Sequence, residues 1–264
     1  MPKILVADRI ANEGVEALKQ RGADVDLKTG LPKEELKSLL GGYDALIVRS
    51  ETQVTADVID AGKKLTVIGR AGVGVDNIDL EAATRRGIAV VNAPTGNTLA
   101  AAEHSVALML ALARHVAQAN ASIRDGKWNR SAYVGVELRG KVLGIIGLGR
   151  VGSEVARRAA SFNMHLIGYD PFLSPDFARN LGVELVSLED LYKRSDFITV
   201  HTPMTDTTRG LIGAEELAMM KKGVRLINVA RGGIIEEKAL LDDLNSKEGR
   251  VGGAAIDVFS EEPP

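Results

Sequence analysis

The sequence predicts an α/β protein of two doubly wound parallel-sheet domains, and three observations predict it. Short apolar runs alternate with helical patterns along nearly the whole chain. That alternation marks strand–helix–strand units and a parallel sheet covered on both faces. A cluster rich in Pro, Gly and Asn, Asn92-Ala-Pro-Thr-Gly-Asn97, interrupts the alternation and reads as a hinge between residues 1–97 and 98–264. Only the second part carries a glycine fingerprint directly after an apolar run, Gly147-x-Gly149-x-x-Gly152, so the two parts have different roles.

In the first part, residues 4–7 read as a strand and 12–20 as a helix closed by Gly22. A strand over 25–27 precedes a helix over 32–40 that has Pro32 near its start and Gly41-Gly42 past its end. Residues 45–48 form a buried strand and 55–61 a short helix capped by Thr55. Strand 66–69, a helix over 80–86 begun by Asp79, and strand 88–91 complete the domain. A long helix over 99–124, apolar on more than one face, follows the hinge. A helix that apolar is normally buried, here as a link between domains and as a packing face for a second subunit, or as a core helix of a monomer. Strand 142–146 then enters the glycine turn, with a helical pattern over 153–162 and strand 165–169 behind it. Strands at 183–185, 197–200, 225–229 and 252–258 alternate with helices at 188–193, opened by Ser187, and at 213–221 and 236–245.

Bulk properties narrow the function. With 45% hydrophobic and 26% charged residues the composition is that of an ordinary globular protein. A net charge of −2, scattered bases and 4% aromatics give no nucleic-acid footprint. The absence of cysteine excludes disulfides, thiolate chemistry and Cys-ligated metal, and no metal site is expected. No secretory leader is visible at Met1-Pro2-Lys3, and the longest apolar run, 106–113, is too short to span a bilayer. A cytoplasmic protein without membrane partners is the expectation.

In the fingerprint, Gly147 permits the tight turn, Gly149 admits a pyrophosphate to the backbone, and Gly152 lets the helix pack on the strand. The amides and positive dipole end of that helix meet the phosphates. Asp170 ends the next apolar run, 18 positions past Gly152, where a carboxylate takes the adenosine ribose hydroxyls. Its charge would repel a 2′-phosphate, so NAD is preferred to NADP. The competing reading is that Asp170 only opens the turn at Pro171.

Ligands of open α/β sheets sit beyond the carboxyl ends of the strands. Three such ends carry suitable groups: Val48-Arg49-Ser50, the stretch Gly69-Arg70-Ala-Gly72-Val73-Gly74-Val-Asp76-Asn77, and Asn228-Val-Ala-Arg231-Gly232-Gly233. Two glycines after Arg231 would leave space beside its guanidinium, a planar fork suited to a carboxylate. Arg49 and Arg70 could hold a second anionic group, and each arginine could instead form a structural ion pair. Backbone amides around Gly72 and Gly74 could cradle a carboxylate.

These stretches, VRSETQVT, GRAGVGVDNIDLEAA, VVNAPTGNTLAAAEHS, GIIGLGRVG, DFITVHTP, GVRLINVARGGIIEE and GAAIDVFSEEPP, cover the chain from near residue 45 to its end. In them the chain resembles the D-isomer-specific 2-hydroxyacid dehydrogenases, and most closely the branch that oxidises D-3-phosphoglycerate. The resemblance implies a flavodoxin-like substrate-binding domain, a Rossmann NAD-binding domain and an active site in the cleft. It implies oxidation of D-3-phosphoglycerate to 3-phosphohydroxypyruvate with NAD, the entry to serine synthesis.

By matching positions, Arg231 resembles the catalytic, substrate-binding arginine, and Glu262 the carboxylate that pairs with a catalytic histidine. Arg150, Val151, Asp170, Thr202, Val229, Ala230, Arg231 and Asp257 fall on cofactor contacts, as does Val73 through its backbone. Arg49, Ser50, Arg70, Gly72, Val73, Gly74 and Asn97 fall on the substrate side. Hydride would leave C2 for the nicotinamide while a base takes the hydroxyl proton.

The sequence departs from the family at that base. The histidine belongs in a Pro-His-x-Gly stretch beyond Glu262, and none exists in this chain. His104 and His115 fall on the long helix, His165 starts a strand, and His201 sits at a strand end as the nearest stand-in. A truncated form is therefore expected, lacking the last strand of the second domain and the helix returning to the first. It should bind NAD with impaired turnover and form a homodimer through the long helix. The alternatives are a glyoxylate or hydroxypyruvate reductase and, from another class, an NAD-responsive corepressor-like module.

Overall fold

A computed structural model describes residues 1–264, which divide into two compact units, Met1–Asn97 and Thr98–Pro264. The first unit runs β1 (Lys3–Val6), α1 (Asn12–Gln20), β2 (Asp24–Leu27), α2 (Lys33–Leu40), β3 (Ala45–Val48), α3 (Ala56–Ala61), β4 (Val67–Arg70), α4 (Leu80–Arg85) and β5 (Ala89–Asn92). Its strands are all parallel, in the order β2-β1-β3-β4-β5. That order is the doubly wound flavodoxin-like one, with its reversal between β1 and β3. Leu5, Leu46, Val48 and Ile68 from the strands pack with Leu36, Leu40, Val58 and Ile59 from the helices, all of them buried.

The second unit runs α5 (Thr98–Arg114), α6 (Val116–Arg124), β6 (Val142–Ile146), α7 (Arg150–Ala160), β7 (His165–Tyr169), α8 (Pro175–Asn180), β8 (Glu184–Leu185), α9 (Leu188–Arg194), β9 (Phe197–Val200), α10 (Ala214–Met219), β10 (Val224–Asn228), α11 (Glu237–Asn245) and β11 (Val251–Ile256). Six parallel strands lie in the order β11-β10-β9-β6-β7-β8, the Rossmann order 3-2-1-4-5-6 read from the far edge. One core, with Leu143, Ile145 and Phe197, lies under α5 and α7; the other, with Ile146, Ile198, Val200 and Leu226, lies under α9, α10 and α11.

Three elements differ from the sequence reading. The long helix is two helices, because His115 takes a left-handed conformation (φ 52°) between α5 and α6. Histidine is among the few residue types enriched in that region, so the apolar pattern continues while the backbone breaks. Thr55 precedes α3 but makes no side-chain cap, since its hydroxyl turns to the Asp57 carboxylate at 2.5 Å. α7 starts at Arg150, three residues before the helical pattern read from the sequence, and so begins inside the glycine motif. Asp79 and Ser187 do cap α4 and α9, accepting from the amides of Ala82 and Asp190. No helix is long and apolar enough to cross a membrane.

Candidate functional site

The glycine turn of the second unit is held from both sides. Gly147 sits at φ +88°, a left-handed conformation that L side chains rarely adopt, and a Cβ there would lie 2.8 Å from the His201 carbonyl oxygen. A Cβ on Gly152 would lie 2.0 Å from the Gly147 carbonyl oxygen, so α7 packs directly on the turn. Beside Gly149 nothing lies within 4 Å, which leaves that face of the turn open. Gly149 is the N-cap of α7 and supplies no side-chain acceptor, so the first amides of the helix keep their capacity for an anion. Arg150 and Val151 form its first turn.

Asp170 follows β7 and opens the turn at Pro171. Its Oδ2 accepts from the Leu148 amide at 2.9 Å, tying β7 to the glycine turn, and its Oδ1 accepts from the Phe172 amide at 2.9 Å. A carboxylate oxygen accepts more than one hydrogen bond, so capacity is left for ribose hydroxyls. From below, the Ser153 hydroxyl donates to the Leu148 carbonyl at 2.7 Å. Leu148 is thereby fixed at both its amide and its carbonyl.

Beyond β9, the Thr202 hydroxyl is buried with no hydrogen-bond partner in the protein, a group that a bound ligand would satisfy. Next to it, His201 shares a hydrogen bond between Nε2 and Thr199 Oγ1 at 2.9 Å. Burial pushes its imidazole down to about 4, so the ring is neutral and a weak base near pH 7. That removes His201 as a stand-in for the proton-accepting histidine. His165 is exposed at the start of β7 and His115 forms the break between α5 and α6.

Buried Asn228 shapes the loop after β10: its Oδ1 accepts from the Ala230 amide at 3.0 Å and its Nδ2 donates to the Arg231 carbonyl at 2.9 Å. Val229, Ala230 and Arg231 are half-buried in this loop, and Arg231 Nη1 donates to the Ala230 carbonyl at 2.6 Å. The glycine after Arg231 does not clear space for a ligand. A Cβ on Gly232 would fall 1.8 Å from the Phe259 carbonyl oxygen, so backbone arriving from beyond β11 fills that space. Glu262 is exposed and its Oε1 accepts from the Phe259 amide at 3.0 Å, which ties the same segment together. Asp257, just past β11, has its Oδ1 3.2 Å from His104 Nε2 on α5. The parallel sheet thus gathers the glycine turn, Asp170, Thr202, the Arg231 loop and Asp257 at the carboxyl ends of β6, β7, β9, β10 and β11.

In the first unit, Asp8 is buried just past β1 and organises the loop after β3. Its Oδ2 accepts from the amides of Arg49 (2.6 Å) and Thr52 (3.2 Å), and its Oδ1 from the Thr52 hydroxyl (2.5 Å). Asn77 Nδ2 donates to the carbonyls of Arg49 and Thr52, each at 2.7 Å. The Arg49-Ser50 loop is rigid in consequence, while both of these residues are exposed. Arg49 makes no ion pair, so its structural alternative fails. Gly72 also has a different reason from the one read in the sequence. A Cβ there would fall 1.7 Å from Arg70 Nη1, and the Gly72 amide donates to the Arg70 carbonyl at 2.8 Å. Gly72 makes room for a guanidinium instead of offering its amide to a ligand, which leaves Val73 and Gly74 as the candidate donors. Asn92 Nδ2 braces this loop at the Val73 carbonyl (2.5 Å), and Asn97 is exposed at the end of the unit.

Sequence reasoning missed Asp8, took Asn228 only as part of a strand end, and missed the partner of His104. The first two had a signal, since each is a polar residue that closes an apolar run, in ILVAD and RLIN. The pairing of His104 with Asp257 joins residues 153 positions apart and leaves no local trace.

A profile of the D-isomer-specific 2-hydroxyacid dehydrogenases, NAD-binding domain, matches residues 106–264. D-3-phosphoglycerate dehydrogenase of Archaeoglobus fulgidus is 52% identical over 262 residues, which are 99% of this chain and 49% of that protein. The chain spans about half the length of the curated relatives it matches. Among solved structures, the TT0316 protein from Thermus thermophilus superposes with a TM-score of 0.91 at 38% identity, over 99% of this chain and 83% of that one. A glyoxylate reductase from Paecilomyes thermophila gives 0.90 at 32% identity, over 100% and 83%.

Proposed function

Because the chain belongs to the D-isomer-specific 2-hydroxyacid dehydrogenases, and its second unit is their NAD-binding domain, we propose that it acts in the oxidation of D-3-phosphoglycerate to 3-phosphohydroxypyruvate. The observation that carries the reading is the convergence at the carboxyl ends of neighbouring strands of an open glycine turn, the Asp170 carboxylate and an unsatisfied buried hydroxyl. NAD, when bound, supplies the acceptor for the hydride that leaves C2 of the substrate. Gly147, Gly149 and Gly152, with the first turn of α7 at Arg150 and Val151, receive its pyrophosphate, and Asp170 its adenosine ribose. Thr202, Val229, Ala230, Asp257 and the Val73 backbone are assigned to the rest of the cofactor.

Arg231 holds the substrate carboxylate and polarises the carbonyl that develops at C2. The carboxyl end of the first sheet, through Arg49, Ser50, Arg70, Val73, Gly74 and Asn97, receives the remainder of the substrate. Glu262 is assigned to orient a proton-accepting histidine, yet none of the four histidines of these 264 residues is paired with it. A polypeptide of these residues therefore binds NAD and turns over slowly. We assign the protein to the cytoplasm and to a homodimer formed through α5, which leaves Leu99 56% exposed and Leu108 and Leu110 only half-buried.

A single-turnover assay, with the protein in excess over NAD, tests the substrate. D-3-phosphoglycerate should yield NADH faster than D-glycerate does. Faster consumption of NADH with glyoxylate or hydroxypyruvate would assign the chain to the reductases instead.

A further inference from the structure

Arg9 stands outside every motif in the chain, yet it shares a hollow with Arg49. Arg9, Ile10, Ala11, Arg49 and Ala71 line a concavity of about 450 Å³ beyond the carboxyl ends of β1, β3 and β4. No carboxylate lines it. The nearest in sequence, Asp8, is buried with both oxygens engaged by Arg49 and Thr52, so it neutralises neither guanidinium at the surface. Arg9 and Arg49 enter no ion pair and no side-chain hydrogen bond. Two unpaired cations along one hollow repel each other, and an anion between them removes that repulsion. The Asp8 and Asn77 network fixes the backbone that carries Arg49, so one wall of the hollow is set before any ligand arrives.

We propose that Arg9 and Arg49 form a two-guanidinium cradle for the phosphomonoester group of the substrate. Arg9 is then the residue that separates phosphorylated from unphosphorylated 2-hydroxy acids. A phosphomonoester carries a charge of about −1.5 to −2 and three strong acceptor oxygens near pH 7, enough for two bidentate forks. A carboxylate fills only one fork, and that role already belongs to Arg231. The identity of the ligand rests on the dehydrogenase reading above; the cradle itself rests only on the first unit.

Calorimetric titration of the NAD-loaded chain with D-3-phosphoglycerate, D-glycerate and inorganic phosphate tests this in the parent, Arg9→Gln and Arg9→Lys. Arg9→Gln should weaken D-3-phosphoglycerate and inorganic phosphate about tenfold and leave D-glycerate and NAD unchanged. Arg9→Lys should recover only part of the loss, because an ammonium cannot make two parallel bonds. Arg9 is exposed, so thermal melts of the variants should match the parent. Unchanged phosphoglycerate binding in Arg9→Gln, an equal loss for D-glycerate, or no phosphate binding by the parent overturns the cradle. Phosphate binding that depends on Arg9 in a chain that takes no 2-hydroxy acid would keep the cradle and sink the dehydrogenase reading.

Discussion

At the scale of single residues, the second unit depends on positions where one atom more would collide. Gly147→Ala adds a Cβ 2.8 Å from a carbonyl oxygen at φ +88°. It should destabilise the chain by roughly 2 kcal/mol or more in urea denaturation and abolish NAD binding. Asp170→Asn keeps an oxygen for the Leu148 amide but loses the charge. NAD should weaken about tenfold while NADP gains relative to it, as read by fluorescence titration of the reduced cofactors. His201 gives a pH signature. Its folded value lies near 4, below the ordinary 6.5, so between those limits the unfolded chain binds the additional proton. The stabilisation is therefore complete above about pH 6.5 and is lost as pH falls toward 4, a change of up to about 3 kcal/mol. Denaturation midpoints should fall across that window, and His201→Gln should flatten the slope. Gly147 and Asp170 were located in the sequence because one opens a glycine pattern and the other closes the apolar run that follows it. The reason for Gly232 and Gly72 was not legible: what fills the space beside them is the Phe259 backbone and the Arg70 side chain, so the same residue type had the right location for the wrong reason.

Elements were legible wherever periodicity and an end signal agreed. β3, β7 and β9 match the apolar runs residue for residue, since a buried parallel strand is apolar along its whole length. Helix ends depended on side-chain geometry, which composition does not fix. Asp79 and Thr55 occupy equivalent places before short helices, yet only Asp79 accepts from the third amide along. Asp79→Ala should cost about 1 kcal/mol and Thr55→Ala clearly less, measured by equilibrium unfolding of each variant. The break at His115 was illegible because the apolar pattern runs through it. A break there still lets α5 cover one face of the second sheet.

On the scale of the whole molecule, the chain holds two parallel sheets, one in each unit. Their strand orders follow from connectivity: right-handed crossovers on both faces place a reversal in each sheet, and ligands collect at that reversal. This much of the architecture was visible in the alternation of runs and in one glycine motif. What stayed hidden were the contacts made by side chains far apart in sequence, such as Asp8 with Thr52 and His104 with Asp257. If α5 pairs two copies, sedimentation should give a dimer, and Leu108→Glu should shift it to monomer without loss of NAD binding. The most direct test of the account is calorimetric titration of the 264-residue chain with NAD and, separately, with NADP. Saturable binding of one NAD per chain is predicted, with NADP weaker by a factor of about ten or more and the preference relaxed in Asp170→Asn. No saturable heat with NAD, or NADP bound as tightly as NAD by the parent chain, would contradict it.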